Sequence, residues 1–414
     1  METSDVKDRS PFTAYSWLVA SFMLASGAAA LIYQVTWARL LSLSIGSTSA
    51  AIAVVLAAFF LGLALGAWLS ENIKTKQAKN IRHYLWLELA IGLTGLALLP
   101  ILLNLDAFVT QWPNLATYTG FKFVLVMILI GIPTTCIGAT FPVMVTLLSQ
   151  QGHRTSLRLG QLYGLNTTGG VLGAALGGFA FIPNWGLDGS TYIAASLNFA
   201  IVIAGTLSTI FTRNETQIDN SPPTSNQSTT PGKNSFIDEN LRKQALFVLF
   251  ITGMVSLACE VSWTKYLAIY THTTIYGFAA ILSVFLTGIA AGAWIINHWL
   301  NRITRPQLWI SSGLLALGAS LILTQVGLNA LPNIQETFFD TSSGTPLAEN
   351  SKYFLVFVLL FAPTFILGGL FTLNLRIASG DTDSLSHPVG KAYAINTLGG
   401  IVGALGAGLW MIPQ

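Results

Sequence analysis

The chain has 414 residues, of which 52% are hydrophobic and 9% are charged, with a mean hydropathy of +0.62. Soluble domains carry charge on about a quarter of their residues, so a water-soluble globular fold is excluded and a polytopic helical membrane protein is required. The net charge of +3 is small and its cations fall in short loops rather than a patch, which argues against a nucleic-acid partner.

The N-terminus (METSDVKDRSPFTAYSW) is polar for too long to be a cleaved signal peptide, so the first span is retained. Runs of about 20 or more apolar residues predict spans over 15–40, 47–70, 84–105, 121–149, 161–182 and 191–211. Residues 212–243 then lose periodicity and fill with Ser, Thr, Asn and Pro, which predicts a flexible linker. Five more spans follow, at 244–267, 272–297, 308–329, 353–378 and 390–413. The two cysteines, Cys136 and Cys259, lie inside spans and give neither a disulfide pattern nor a metal site.

Loop charge sets an expected orientation. Lys74, Lys76, Lys79 and Arg82, then Arg154 and Arg158, then Arg302 and Arg305 mark loops on one side, while Asp106, Asp188, Glu336, Asp340 and Glu349 mark the other. Cations concentrate in cytoplasmic loops, so the N-terminus and the linker are expected inside, in a plasma (inner) membrane.

The chain repeats itself. Gly160 to Pro183 (GQLYGLNTTGGVLGAALGGFAFIP) returns 230 residues later as Gly390 to Pro413 (GKAYAINTLGGIVGALGAGLWMIP), with eleven of 24 positions identical, among them Tyr163/Tyr393 and Asn166/Asn396. Small residues four apart within each copy allow helices to approach closely in lipid. Gln34-Val35-Thr36-Trp37-Ala38-Arg39 is echoed by Glu260-Val261-Ser262-Trp263-Thr264-Lys265, and Gly62, Gly66 and Trp68 by Gly288, Gly292 and Trp294, at a spacing of 226. Pro133-Thr134, Gly138 and Phe141 return as Pro363-Thr364, Gly368 and Phe371. The reading is a first six-helix repeat over 1–211, a cytoplasmic linker over 212–243 and a second repeat over 244–414 without its sixth helix. An even number of spans per repeat makes the halves parallel, as in transporters whose halves are related by an axis along the membrane normal. Either eleven spans suffice or the native chain is expected to continue past Gln414.

The run from Ser26 to Trp68 (SGAAALIYQVTWARLLSLSIGSTSAAIAVVLAAFFLGLALGAW), with YGLNTTGGVLGAALGGF and its second copy, resembles the integral-membrane part of the fused transporter/spermidine synthase family. That resemblance implies a major-facilitator-like helix bundle, a polyamine connection and a soluble aminopropyltransferase domain. The synthase domain's Gly-rich cofactor loop and its acidic substrate residues have no counterpart here. Gly169-Gly170 and Gly399-Gly400 lie in apolar helices with no acid following, and Asp381 and Asp383 read as ordinary loop charge. No catalytic residue, cofactor or metal is therefore assigned, and no Walker loop, HExxH or GxSxG is present.

Candidate binding residues are the polar groups retained at membrane depth, where a charge costs about 2.5–3.5 kcal/mol on insertion scales. Glu260 is the strongest, with Ser256 and Thr264 on its face and neutral Gln34 as its repeat partner. It is either the counter-charge for an amine or half of a structural ion pair with Arg39 or Lys265. Arg39 and Lys265, at the outer ends of their spans, are read first as ordinary snorkelling side chains and second as receivers of an anionic headgroup or substrate. Asn166, Asn396, Tyr163 and Tyr393 are read first as interhelical hydrogen-bond groups and second as ligand contacts. Pro133 and Pro363 free backbone carbonyls, for which the following Thr is the expected partner. Glu88 is read as interfacial. Three functions remain open: a transporter or binding module for a polyamine or small organic cation, the membrane anchor of a separate synthase domain, and a structural scaffold.

Overall fold

The computed structural model describes residues 14–46, 48–71, 81–105, 107, 111, 119–149, 155–215, 239–270, 275–338, 346–379 and 386–412. The loop cations Lys74, Lys76, Lys79 and Arg154, the loop acids Asp106 and Asp340, the pair Asp381 and Asp383, and most of the expected linker lie outside these residues. Every regular element among the described residues is helical: α1 (Ala14–Ile45), α2 (Ser49–Glu71), α3 (Ile81–Leu103), α4 (Thr119–Ser149), α5 (Thr155–Leu176), α6 (Ile182–Glu215), α7 (Glu239–Tyr270), α8 (Ile275–Trp299), α9 (Pro306–Phe338), α10 (Pro346–Ser379) and α11 (Ser386–Gly406). Single π-helical turns, Gly177–Phe181 and Ala407–Met411, follow α5 and α11 at the same place in each repeat, and a 3₁₀ turn, Leu300–Arg302, follows α8.

The apolar stretch Gln161–Ile210 runs for 50 residues, which at about 1.5 Å each is more than twice the thickness of a bilayer core. It crosses twice, because Gly186 breaks it with φ 69° and ψ −173°, a backbone conformation that favours glycine. The predicted spans five and six therefore stand as separate crossings. The helices run further than hydropathy foretold: α6 continues to Glu215 and α7 begins at Glu239, so both margins of the expected 212–243 linker are helical.

Helix pairing repeats with the sequence. Helix α1 packs on α5 as α7 packs on α11, and α2 on α4 as α8 on α10; the halves meet through α2 with α11 and α5 with α8. Glycine makes these approaches possible. A Cβ at Gly27 would collide with the carbonyl oxygen of Asn166, and one at Gly253 with that of Asn396; likewise Gly62 lies against Thr134 and Gly288 against Thr364. Backbones this close are held by dispersion rather than by a hydrophobic effect, since lipid tails are as apolar as leucine.

Apolar packing differs between the two ends of the bundle. At the end where α1 and α7 begin, one core joins both halves, with Met23, Tyr84 and Met144 in contact range of a cluster that includes Leu249, Phe371 and Leu375. Toward the other end each half has a larger core of its own, one around Trp37, Ile91 and Val126 and one around Trp263, Leu328 and Leu360, and only smaller clusters join the halves, Leu56 with Val261 and Ala404 and Val35 with Leu282. Outward-facing leucines and isoleucines such as Leu315, Ile322 and Leu323 on α9 leave broad apolar surface that only a bilayer can cover.

Candidate functional site

Between the halves lies a cavity of about 180 Å³. Glu260 and Gln34 line it from equivalent turns of α7 and α1, Asn166 and Asn396 from α5 and α11, and Tyr163 and Tyr393 from one turn earlier on the same two helices. Six of the eight residues singled out in the sequence thus meet in one space, arranged about the axis that relates the repeats. Glycine shapes the walls: the small faces at Gly27 and Gly170 let α1 and α5 close the side.

Glu260 is 4% exposed, and its Oε1 is buried with no hydrogen-bond partner. Ser256, one turn earlier on α7, shares the cavity wall with it. An ionised carboxyl held in such a place needs a compensating charge or donor. Arg39 and Lys265 do not line the cavity. Each lies five residues beyond Gln34 or Glu260, about 140° round the helix at 3.6 residues per turn, and is half-buried there. The structure thus separates these two cations from the cavity group rather than bringing all eight candidates together.

Beneath the cavity four aromatic rings close a circle. Phe141 lies 6.1 Å from Tyr163 and 5.9 Å from Tyr393, and Phe371 lies 4.5 Å from Tyr163 and 6.4 Å from Tyr393, centroid to centroid. Two rings come from each half, on α4 and α5 and on α10 and α11, so the circle exists only while the halves are together at this end. Phe141 and Phe371 stand in the sequence as a matched pair 230 residues apart; that echo was the signal for the floor of the site, and it was read only as evidence of duplication.

Two expectations change. Glu88 is not interfacial: it is fully buried seven residues into α3, where Nδ2 of Asn198 on α6 donates to its Oε2 at 2.7 Å. Nor does the threonine after each proline serve the freed carbonyl. Thr134 and Thr364 donate to Ile130 and Leu360, the carbonyls that already have a backbone donor, at 2.7 Å. The carbonyl that Pro363 frees, on Leu359, accepts instead from Thr324 of α9 at 2.9 Å.

No protein-family model matches the chain, and no curated protein does. Solved structures do. A bacterial homologue of the iron transporter ferroportin, in an outward-facing state, aligns over 96% of this chain and 93% of its own length with a TM-score of 0.51 at 13% identity. The nucleoside transporter NupG aligns over 95% and 90% (TM-score 0.49, 14% identity), and FucP, a major facilitator superfamily transporter in the outward conformation, over 96% and 96% (TM-score 0.48, 13% identity). At such identities the likeness is one of fold. The chain is a multi-pass membrane protein whose helical fold is similar to that of the ferroportin homologue, with helix pairing repeated between its halves and a polar cavity between them.

Proposed function

We propose that the protein is a secondary transporter for a small organic cation, which it holds in the central cavity with Glu260 as counter-charge. The observation that carries this reading is the buried, unpartnered Oε1 of Glu260 in a cavity otherwise lined by amides, hydroxyls and apolar groups. An ammonium ion supplies both the charge and the donors that this oxygen lacks, and the neutral side chains of Gln34, Asn166 and Asn396 accept the remaining N–H groups. The resemblance to the spermidine-synthase-associated membrane module makes polyamines the first ligands to test. A mere anchor or scaffold has no use for a polar cavity on the axis of the bundle, which favours transport over those alternatives.

The positive loops support a cytoplasmic location for the end where α1 begins. With that end closed by the aromatic circle, the cavity is read as serving the outer face, and transport as a rocking of the segments 1–211 and 244–414 about it.

The test uses Glu260→Gln, which copies Gln34, together with Lys265→Gln and the double change, on protein purified in detergent. Glu260→Gln keeps thermal stability and weakens spermidine binding by roughly thirty-fold or more, the loss of at least about 2 kcal/mol expected when one partner of a buried charge pair is removed. Lys265→Gln leaves binding intact. Unchanged spermidine affinity in Glu260→Gln ends the proposal, and destabilisation by both single changes with recovery in the double reassigns Glu260 to a structural pair.

A further inference from the structure

Away from the cavity axis, the first half holds a second buried carboxyl that cation binding does not use. Glu88 lies in the crevice between α1, α3 and α6 and is 0% exposed. The groups that face it are all neutral: Tyr84 on its own helix, Ser26 and Tyr33 on α1, and Asn198 on α6. The stretch of α4 that packs beside it, residues 137–149, has no ionisable side chain.

Two acceptors in this cluster are orphaned. Glu88 uses Oε2 to accept from Asn198, while its Oε1 is buried without a partner; Asn198 uses Nδ2 to donate, while its Oδ1 is buried without a partner. Orphaned buried acceptors are rare and costly in native structures. A single proton on Oε1 changes both at once. A protonated carboxyl offers one donor and one acceptor, and a primary amide offers the complement, so the two groups become a doubly hydrogen-bonded pair. Proton binding also removes a negative charge that no cation offsets.

The cluster borders the cavity. Ser26 stands between the two, because it lines the cavity wall and is one of the neutral groups that face the Glu88 carboxyl. We infer that Glu88 is a proton-binding site linked through Ser26 to the central cavity, and that the transport cycle takes up and releases one proton there. The bond made is O–H at Oε1, the proton is supplied by water on the side to which the cavity is open, and release on the opposite side restores the carboxylate. This goes beyond the assignment of a cation to Glu260 and does not require it.

The test is infrared difference spectroscopy on the full chain in lipid, titrated from mildly acidic to mildly alkaline buffer. A carbonyl-stretch band of a protonated carboxyl appears on acidification, is lost in Glu88→Gln and survives in Glu260→Gln. Asn198→Leu keeps the band and moves it to higher frequency, because the amide donor to its C=O is gone; that variant carries the test should Glu88→Gln fail to fold. A spectrum with no titrating band that responds to Glu88→Gln or Asn198→Leu overturns the site. In proteoliposomes, a pH gradient drives spermidine uptake by the wild type, whereas Glu88→Gln retains spermidine counterflow and loses its response to the gradient; a variant that still responds overturns the coupling. A titrating Glu88 band in a protein that moves no spermidine upholds the proton site and sinks the amine reading alone.

Discussion

Replacing Gly27 or Gly253 with alanine tests whether the repeated close approaches of the backbone set the geometry of the site. A Cβ at Gly27 would meet the carbonyl oxygen of Asn166, and one at Gly253 that of Asn396, each more than roughly 1 Å inside the 3.4 Å at which ordinary contact begins. The obstacle is backbone rather than the end of a flexible side chain, so α1 must part from α5, or α7 from α11, along tightly packed helices. Inserting a methyl into such a contact costs about 1–3 kcal/mol. The control is Gly318→Ala on the lipid-facing side of α9, where a Cβ meets nothing within 4 Å and the change should be neutral to stabilising by up to about 1 kcal/mol, since alanine favours the helix over glycine. Thermal unfolding in one detergent, read by intrinsic tryptophan fluorescence, should place both packed variants clearly below the wild type and the control at or above it. If Gly27→Ala and Gly253→Ala unfold together with Gly318→Ala, the close approaches are not the constraint described here and the reasoning fails.

Three further expectations follow. Phe371→Ala deletes two of the four contacts in the aromatic circle, each worth about 0.5–1.5 kcal/mol beyond burial, and should shift the population toward opening at that end by roughly ten-fold; increased alkylation of a cysteine placed at Met144 by a water-soluble reagent measures it, and unchanged labelling counts against a gate. Thr324→Val strips the donor from the carbonyl of Leu359 and should destabilise by about 0.6–1.7 kcal/mol, the range for hydrogen bonds between membrane helices; in a Pro363→Ala background, where the backbone N–H returns, most of that loss should vanish, and equal losses in both backgrounds would contradict the assignment. For orientation, cysteines at Thr304 and Asn104, both exposed at opposite ends of the bundle, should react unequally with an impermeant thiol reagent on intact cells, with Asn104→Cys labelled and Thr304→Cys spared; the reverse pattern inverts the protein.

Much of this was legible before any coordinates, for a definite physical reason. A bilayer demands long apolar helices, so hydropathy alone located the crossings, and a duplicated Tyr-x-x-Asn-Thr located helix faces that reach the axis, since a polar group kept twice in lipid has a partner or a ligand to meet. What hydropathy does not encode is rotation. In helices apolar on every side nothing in the sequence says which way Arg39 turns relative to Gln34, or Lys265 relative to Glu260, and neither cation lines the cavity. Glu88 was placed at the interface by counting residues from the nearest loop; its partner Asn198 lies 110 residues away, and only the packing of α3 on α6 brings the two together. The proline carbonyls went wrong for the same reason: the nearest hydroxyl in sequence was chosen, whereas Thr324 comes from a neighbouring helix.

The π-helical turns at Gly177–Phe181 and Ala407–Met411 act as phase slips. Each accommodates one residue more than an α-turn, so everything downstream is rotated by about 100° relative to an unbroken helix. In the first half that error cannot propagate, because Gly186 severs the helix five residues later and lets α6 choose its own azimuth. Deleting one residue from the first turn, Ala180 for instance, should therefore re-aim only Ile182 to Trp185 and leave the contact of Asn198 with Glu88 untouched. The joint behaves as a clutch: it isolates the rotational setting of the cavity-lining helix from that of the helix behind it, so either can drift in evolution by an inserted or lost residue without dragging the other out of register.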